Sequence, residues 1–264
     1  MPEFRRTHAI SHMPFSYEHG AVIQPFIMGV DDQTGDNISE HKAFSEARGH
    51  YWLWKNGKFD ADEFVAINQY RRCFWFSQLV PPDHRLAGIT KHLGLNVSQA
   101  TVETTRADYV EYIKLISEAD LAPLNHWLEG VDLVVNRNVW TTLPVHKLYG
   151  LNHRAQDWEI FANVLRKKGY NDGRFNWLTT HTVYIFTPEL FNDYMTDWWD
   201  VMSEVYPKLI QEEDPYQHRK GGFLSEWFMS PWLVKQRIER PTLRVQTLPV
   251  IEGLFQYDRQ PGVM

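Results

Sequence analysis

Tyr70-Arg71-Arg72 follows closely on the apolar run Phe64-Val-Ala-Ile67, which reads as a buried strand of four to six residues. Guanidinium forks match phosphate oxygens bidentately, and ligands of open α/β sheets sit beyond the carboxyl ends of the strands. An arginine pair there can grip an anion; the plain alternative is a strand whose arginines point to water. Successive strand side chains face opposite ways, so both arginines reach one ligand only if the backbone turns at Tyr70. Glu226 is a second candidate, within Gly221-Gly-Phe-Leu-Ser-Glu-Trp-Phe228. There it either complements the dipole of a helix or acts as a general base that deprotonates an acceptor hydroxyl. The dipole lowers its pKa, so a useful base needs burial to raise it again. Thr34-Gly-Asp-Asn-Ile-Ser39 is a tight turn feeding a helix start. Asp36 and Asn37 either cap loose N–H groups, which the spacing favours, or hydrogen-bond a ribose or sugar hydroxyl. His153 and Asp157 stand four apart on a predicted helix and share a face, as a surface pair or a ligand-binding pair.

Common cofactor signatures are absent: no Gly-rich phosphate loop, no paired-Cys zinc spacing and no Gly-x-Ser-x-Gly elbow. Asp60-Ala-Asp62 has the form that holds a divalent cation on a diphosphate, but it precedes the strand at 64 instead of following one. That places it at the opposite rim of the sheet, where it reads as a solvated turn. No metal ligands are assigned and no cofactor is expected to be required, while participation of a divalent metal stays open. In its place Arg71 or Arg72 can supply the positive charge that a diphosphate leaving group needs.

These residues must be positioned by a chain of 264 residues, long enough for a sizeable core. With 43% hydrophobic and 23% charged residues the composition is that of a globular protein. The 11 Trp, 12 Tyr and 15 Phe suit either a dense aromatic core, the default reading, or rings stacked on sugar faces. A net charge of −6 argues mildly against a protein that coats nucleic acid. One cysteine, Cys73, rules out an internal disulfide. No apolar run reaches the length of a membrane span and no signal-peptide core follows the first residues, so a cytoplasmic protein is expected.

Strands are predicted over 4–10, 64–69, 131–135, 181–187 and 242–251, with a further apolar stretch at 21–29. Helices are predicted over 40–56, 106–119 capped by Thr105, 153–168, 188–205 opened by Thr187-Pro188, and 223–236 disturbed at Pro231. Residues 77–103 read as a long excursion or lid, 212–221 as a charged loop and 254–264 as a loosely held tail. Strands and helices interleave, so the expected fold is α/β: one domain over 1–264 with a central mixed, mostly parallel sheet flanked by helices.

Ser11-His12-x-Pro14, Thr34-Gly-Asp-Asn-Ile-Ser39 with Tyr51-Trp-Leu-Trp-Lys-Asn56, Gln69-Tyr-Arg-Arg-Cys-Phe74 and Gly222-Phe-Leu-Ser-Glu-Trp-Phe228 occur in that order. Together, over residues 7–235, they resemble a bacterial and phage glycosyltransferase family long described as a domain of unknown function. Its members include the galactofuranosyltransferase module of O-antigen polymerases and capsule or lipopolysaccharide enzymes. The resemblance implies a GT-A-like fold, a nucleotide-activated donor such as a UDP-linked pentose or furanose, and inverting transfer to an acceptor hydroxyl. It implies a donor site lined by His12, Asp36, Asn37, Tyr70, Arg71, Arg72, His153 and Asp157, with Glu226 as the base. Surface polysaccharide is the acceptor it implies first; a hydroxymethylated base in phage-type DNA is the alternative. A noncatalytic carbohydrate-binding domain is the reading from another class. The chain departs from the family pattern at Gln69, where His is usual, at Trp227, where Arg is usual, and at 181–187, which lacks Asn-Met-Phe.

Overall fold

The computed structural model describes residues 1–95, 99–179, 181–209 and 217–255. β1 (Thr7–Ser11) and β2 (Ile23–Ile27) lead to α1 (Ala47–Asn56), and β3 (Val65–Gln69) and β4 (Arg72–Phe74) lead to α2 (Ala87–Leu95). β5 (Thr101–Thr105), α3 (Arg106–Glu118), α4 (Ala122–Leu128) and β6 (Leu133–Asn136) follow. A small ribbon, β7 (Val139–Trp140) paired with β8 (Trp177–Leu178), brackets α5 (Val145–Asn152) and α6 (Ala155–Lys167). β9 (Tyr184–Phe186), α7 (Pro188–Val205), α8 (Lys220–Glu239), β10 (Val245–Leu248) and β11 (Val250–Leu254) complete the described chain.

The large sheet runs β10-β6-β9-β3-β4-β11-β5, with β1 added to β3 and β2 outside β1. It is mixed, as expected, but not mostly parallel. The parallel pairs β1–β2, β1–β3, β10–β6 and β11–β5 are matched by the antiparallel pairs β3–β4, β3–β9, β6–β9 and β4–β11. Because β3 borders β9, β1 and β4, the sheet forks at the end of β3.

Both faces are covered, which is why β3 is buried along its whole length. Alternation divides the strand residues between two cores. Val65, Ile67, Leu133, Val135, Tyr184 and Phe186 join residues of α1 and α5 to α8 on one face. Phe64, Ala66, Val134 and Ile185 join Tyr109, Tyr112, Ile113 and Ile116 of α3 on the other. Most of the aromatic excess is spent here: Trp75, Trp158 and Trp232 are among the largest fully buried side chains. α7 begins with Pro188 where a missing N–H costs nothing, and it buries the expected stripe from Leu190 to Val205. α3 is capped by Thr105, whose hydroxyl accepts from the Asp108 amide.

Several elements differ from the expectation. The helix expected over 40–56 is broken: a 3-10 turn at Lys42–Phe44 ends in Ser45 at φ +49°, and α1 starts at Ala47. The stretch read as a lid contains α2 and most of β5, with Leu86 and Leu93 buried in the second core. The helix expected over 153–168 is α6, which begins only at Ala155: His153 is extended and ends the preceding helix, α5, so it stands outside α6. The last expected strand is two strands that change partners at Pro249, β10 on β6 and β11 between β4 and β5. Phe255, at the start of the expected loose tail, is buried; residues 256–264, like 212–216 of the expected charged loop, lie outside the described residues.

Candidate active site

Tyr70 and Arg71 form the two-residue turn between β3 and β4, so the backbone does reverse at Tyr70. The turn is fixed on several sides: Tyr70 N donates to Ile10 O at 3.1 Å, Gly253 N donates to Arg71 O at 2.9 Å, and the Tyr17 hydroxyl donates to Tyr70 O. Reversal brings both guanidinium groups to one cleft. Arg72 is held by Glu252 at 2.8 Å and by Gln69 Oε1 at 2.8 Å, and Gln69 in turn donates to Thr182 Oγ1 at 2.8 Å. Arg71 meets the same Glu252 oxygen more loosely, at 3.5 Å. Arg72 Nε is buried and has no hydrogen-bond partner among the described residues. His12, just past β1, packs edge-on against Tyr70 with ring centroids 5.6 Å apart.

The facing wall is the first two turns of α8. Glu226 Oε1 accepts the His181 backbone N–H at 2.9 Å, and 27% of its side chain remains exposed in the cleft. Burial raises the Glu226 pKa above its ordinary value. Arg72, the His181 amide and Arg219 act against that rise, and the neighbouring Glu46 adds to it. His181, at φ +66°, is held neutral: burial and then Arg72 and Arg71 lower its pKa to about 3.

Glu46, which the sequence reading did not single out, is the second carboxylate of the cleft. It is bracketed by Ser45 Oγ at 2.5 Å and by Arg219 Nη2 at 3.2 Å. Burial opposes its ionised form, but Arg219 and the Ser45 hydroxyl outweigh it and hold its pKa below the usual glutamate value. The close approach that makes this cluster depends on Gly221 and Gly222. A Cβ on Gly221 would stand 2.9 Å from Ala43 O, and one on Gly222 would stand 2.9 Å from Ser45 Cβ. Phe223 then stacks on His153 at 4.2 Å, closing the end of the cleft.

The cavity so formed measures about 590 Å³ and is lined by His12, Tyr70, Arg71, Arg72, His153 and Glu226 among the residues expected from the sequence. It also takes in Glu46, His181, Arg219, Phe223 and Trp227. Asp36, Asn37 and Asp157 are not in its lining. The Asp36 backbone exchanges hydrogen bonds with the Asn56 side chain and its carboxylate accepts from Tyr51, which ties the turn to α1, while Asn37 Oδ1 accepts from Ser39 N and Oγ within the turn. Asp157 is not on one helix with His153; it is buried in the first turn of α6, 3.7 Å from the buried ammonium of Lys220. Asp62 pairs with Arg5 ahead of β3, at the rim away from the cavity. Among the described residues no three His, Cys, Asp or Glu side chains cluster to hold a metal ion.

The fold is shared with a solved structure described as the WbbM bifunctional glycosyltransferase in its apo form, with a TM-score of 0.70 at 17% identity. The likeness covers 95% of this chain and 45% of that one, so the chain spans less than half of its structural relative. Among curated proteins no sequence matches. Residues 19–237, most of the chain, match the model of a family described as "Domain of unknown function (DUF4422)", and the chain belongs to that family.

Proposed function

We propose that the protein transfers a sugar from a nucleotide-sugar to an acceptor hydroxyl, with inversion at the anomeric carbon. The observation that carries this is the joint cleft: two guanidinium groups on one wall face a carboxylate of raised pKa on the other. Its volume falls in the range of small-molecule sites. The acceptor oxygen attacks the anomeric carbon opposite the diphosphate, the anomeric C–O bond breaks with its electron pair on the diphosphate oxygen, and Glu226 takes the acceptor proton. Arg71 and Arg72, both in the cavity lining, bind the departing diphosphate. Such charge-assisted contacts are strong where water is excluded.

The donor we infer is UDP-linked, a pentose or furanose, and the acceptor is a glycan hydroxyl, whose sugar faces suit Phe223 and Trp227 at the cavity. His12, Tyr70 and His153 complete the donor site in this reading, with Asp36, Asn37 and Asp157 as supports behind it. The arginines take the place of a divalent cation, so turnover is expected to survive EDTA. Loss in EDTA with recovery on Mg²⁺ or Mn²⁺ would contradict that part. The test is a thermal-shift screen of nucleotide-sugars, since a ligand of the native state raises the melting temperature, followed by transfer assays on glycan and hydroxymethylated-DNA acceptors. NMR of the product should show an inverted anomeric centre. Absence of any nucleotide-sugar binding, or retention of configuration, would overturn the proposal.

A further inference from the structure

Two carboxylates share the cleft, and their surroundings differ. Glu226 takes a backbone N–H on one oxygen, whereas Glu46 is clamped by Arg219 Nη2, 3.3 Å from Oε1 and 3.2 Å from Oε2, and by the Ser45 hydroxyl. Arg219 Nε also donates to Ser45 Oγ at 3.1 Å. Arg219 sits at the head of α8, on the same helix as Glu226, and its positive charge is felt at both carboxylates. A guanidinium that settled on Glu226 instead would hold that carboxylate ionised and poor at taking a proton. What prevents this is a built arrangement: Ser45 in a left-handed conformation presents its hydroxyl and the adjacent Glu46, and Gly221-Gly222 let the helix head come against them.

We propose that Glu46 is a positioning residue for the reaction: clamped with Ser45, it keeps the Arg219 guanidinium away from Glu226 and leaves that carboxylate able to accept the acceptor's proton. This rests on Glu226 being the base. Among the described residues, the charged and titratable groups around Glu226 are Arg71 and Arg72 on the β3–β4 turn, His181 before β9, His12 after β1, His153 after α5, Tyr184 on β9, Arg219, and Glu46 itself. Of these only Glu46 is a second carboxylate, so neutralising it both removes a like charge from beside Glu226 and releases a cation toward it.

The test is a titration of the Glu226 carboxyl by ¹³C NMR in glutamate-labelled protein, assigned by the signal lost in Glu226→Gln. In Glu46→Gln the Glu226 midpoint should move to lower pH. In the double variant Glu46→Gln with Arg219→Met it should move back up, because the released cation is gone. In transfer assays, kcat of Glu46→Gln should fall on the order of tenfold, its acid limb moving with the midpoint while donor KM changes little. The double variant should recover kcat in part. An unmoved midpoint in Glu46→Gln, or no return in the double variant, overturns the proposal. If Glu226→Gln keeps full turnover, the assignment of the base fails instead, and the titration still decides whether Glu46 controls Glu226.

Discussion

At the scale of single residues, the two cleft carboxylates make opposite predictions for stability. The Glu226 pKa is raised in the folded protein, so the folded state binds its proton more tightly than the unfolded one. Stability is therefore lost as pH rises from the ordinary glutamate value through the raised one. Glu226→Gln should melt higher than the parent at neutral pH, and the gain should vanish in acid. The Glu46 pKa is lowered, so its contribution is present above the ordinary value and lost as pH falls through the lowered one. Glu46→Gln should melt lower at neutral pH, with the difference closing in acid; melting curves across pH check both. The arginines also divide. Arg72 is fixed by Glu252 and Gln69, so Arg72→Met should cost about 2 kcal/mol of stability as well as donor affinity. Arg71 stands 3.5 Å from the same Glu252 carboxylate, and the readout predicted for Arg71→Met is weaker donor binding by calorimetry.

At the scale of elements, the site depends on how the head of α8 meets the segment before α1. Gly221→Ala gains up to about 1 kcal/mol of helix propensity, but its Cβ would press on Ala43 O at 2.9 Å and Phe44 Cδ1 at 3.1 Å. Two of the three nearest atoms belong to the backbone and cannot rotate away, and overpacking of this kind costs about 1–3 kcal/mol. The variant should lose stability and activity together. Thr105→Ala removes the cap of α3 and should lose about 1 kcal/mol with kinetics unchanged, since α3 lies in the second core and not at the cleft. Much at this scale was legible in the chain. Phe64-Val-Ala-Ile67 announces a buried strand by its apolar run, and Thr187-Pro188 announces a helix start by backbone chemistry. Glu46 was not legible, because Ala47, Tyr51 and Trp54 fit a helical period that runs smoothly back through it. The break at Ser45 is a left-handed serine, a residue type that carries no such signal, and it is set by contact with glycines far along the chain. His181 escapes for the same reason: its role comes from a backbone amide that points at Glu226. The Gly-Asp-Asn-Ile-Ser motif is conspicuous as a turn, yet Asp36 is used to dock α1 and Asn37 to close the turn, and neither lines the cleft.

At the scale of the molecule, the forked sheet explains why distant stretches converge. β1, β3 and β4 meet where the fork opens, so His12, Tyr70, Arg71 and Arg72 reach one point from separate strands, and β11 adds Glu252 behind them. The chain carries a net charge of −6, yet this cleft presents Arg71, Arg72 and Arg219 together. An anionic donor should therefore bind more weakly as salt rises, over the range in which screening becomes short. No described helix is long and apolar enough to cross a membrane. All of this turns on the cleft between the β3–β4 turn and α8 being where transfer occurs. The most direct measurement compares Glu226→Gln with the parent for single-turnover transfer and for donor binding by calorimetry. The expected result is a loss of about 10²–10⁴-fold in rate with donor affinity kept; unchanged turnover would remove Glu226, and the account built on it, from the mechanism.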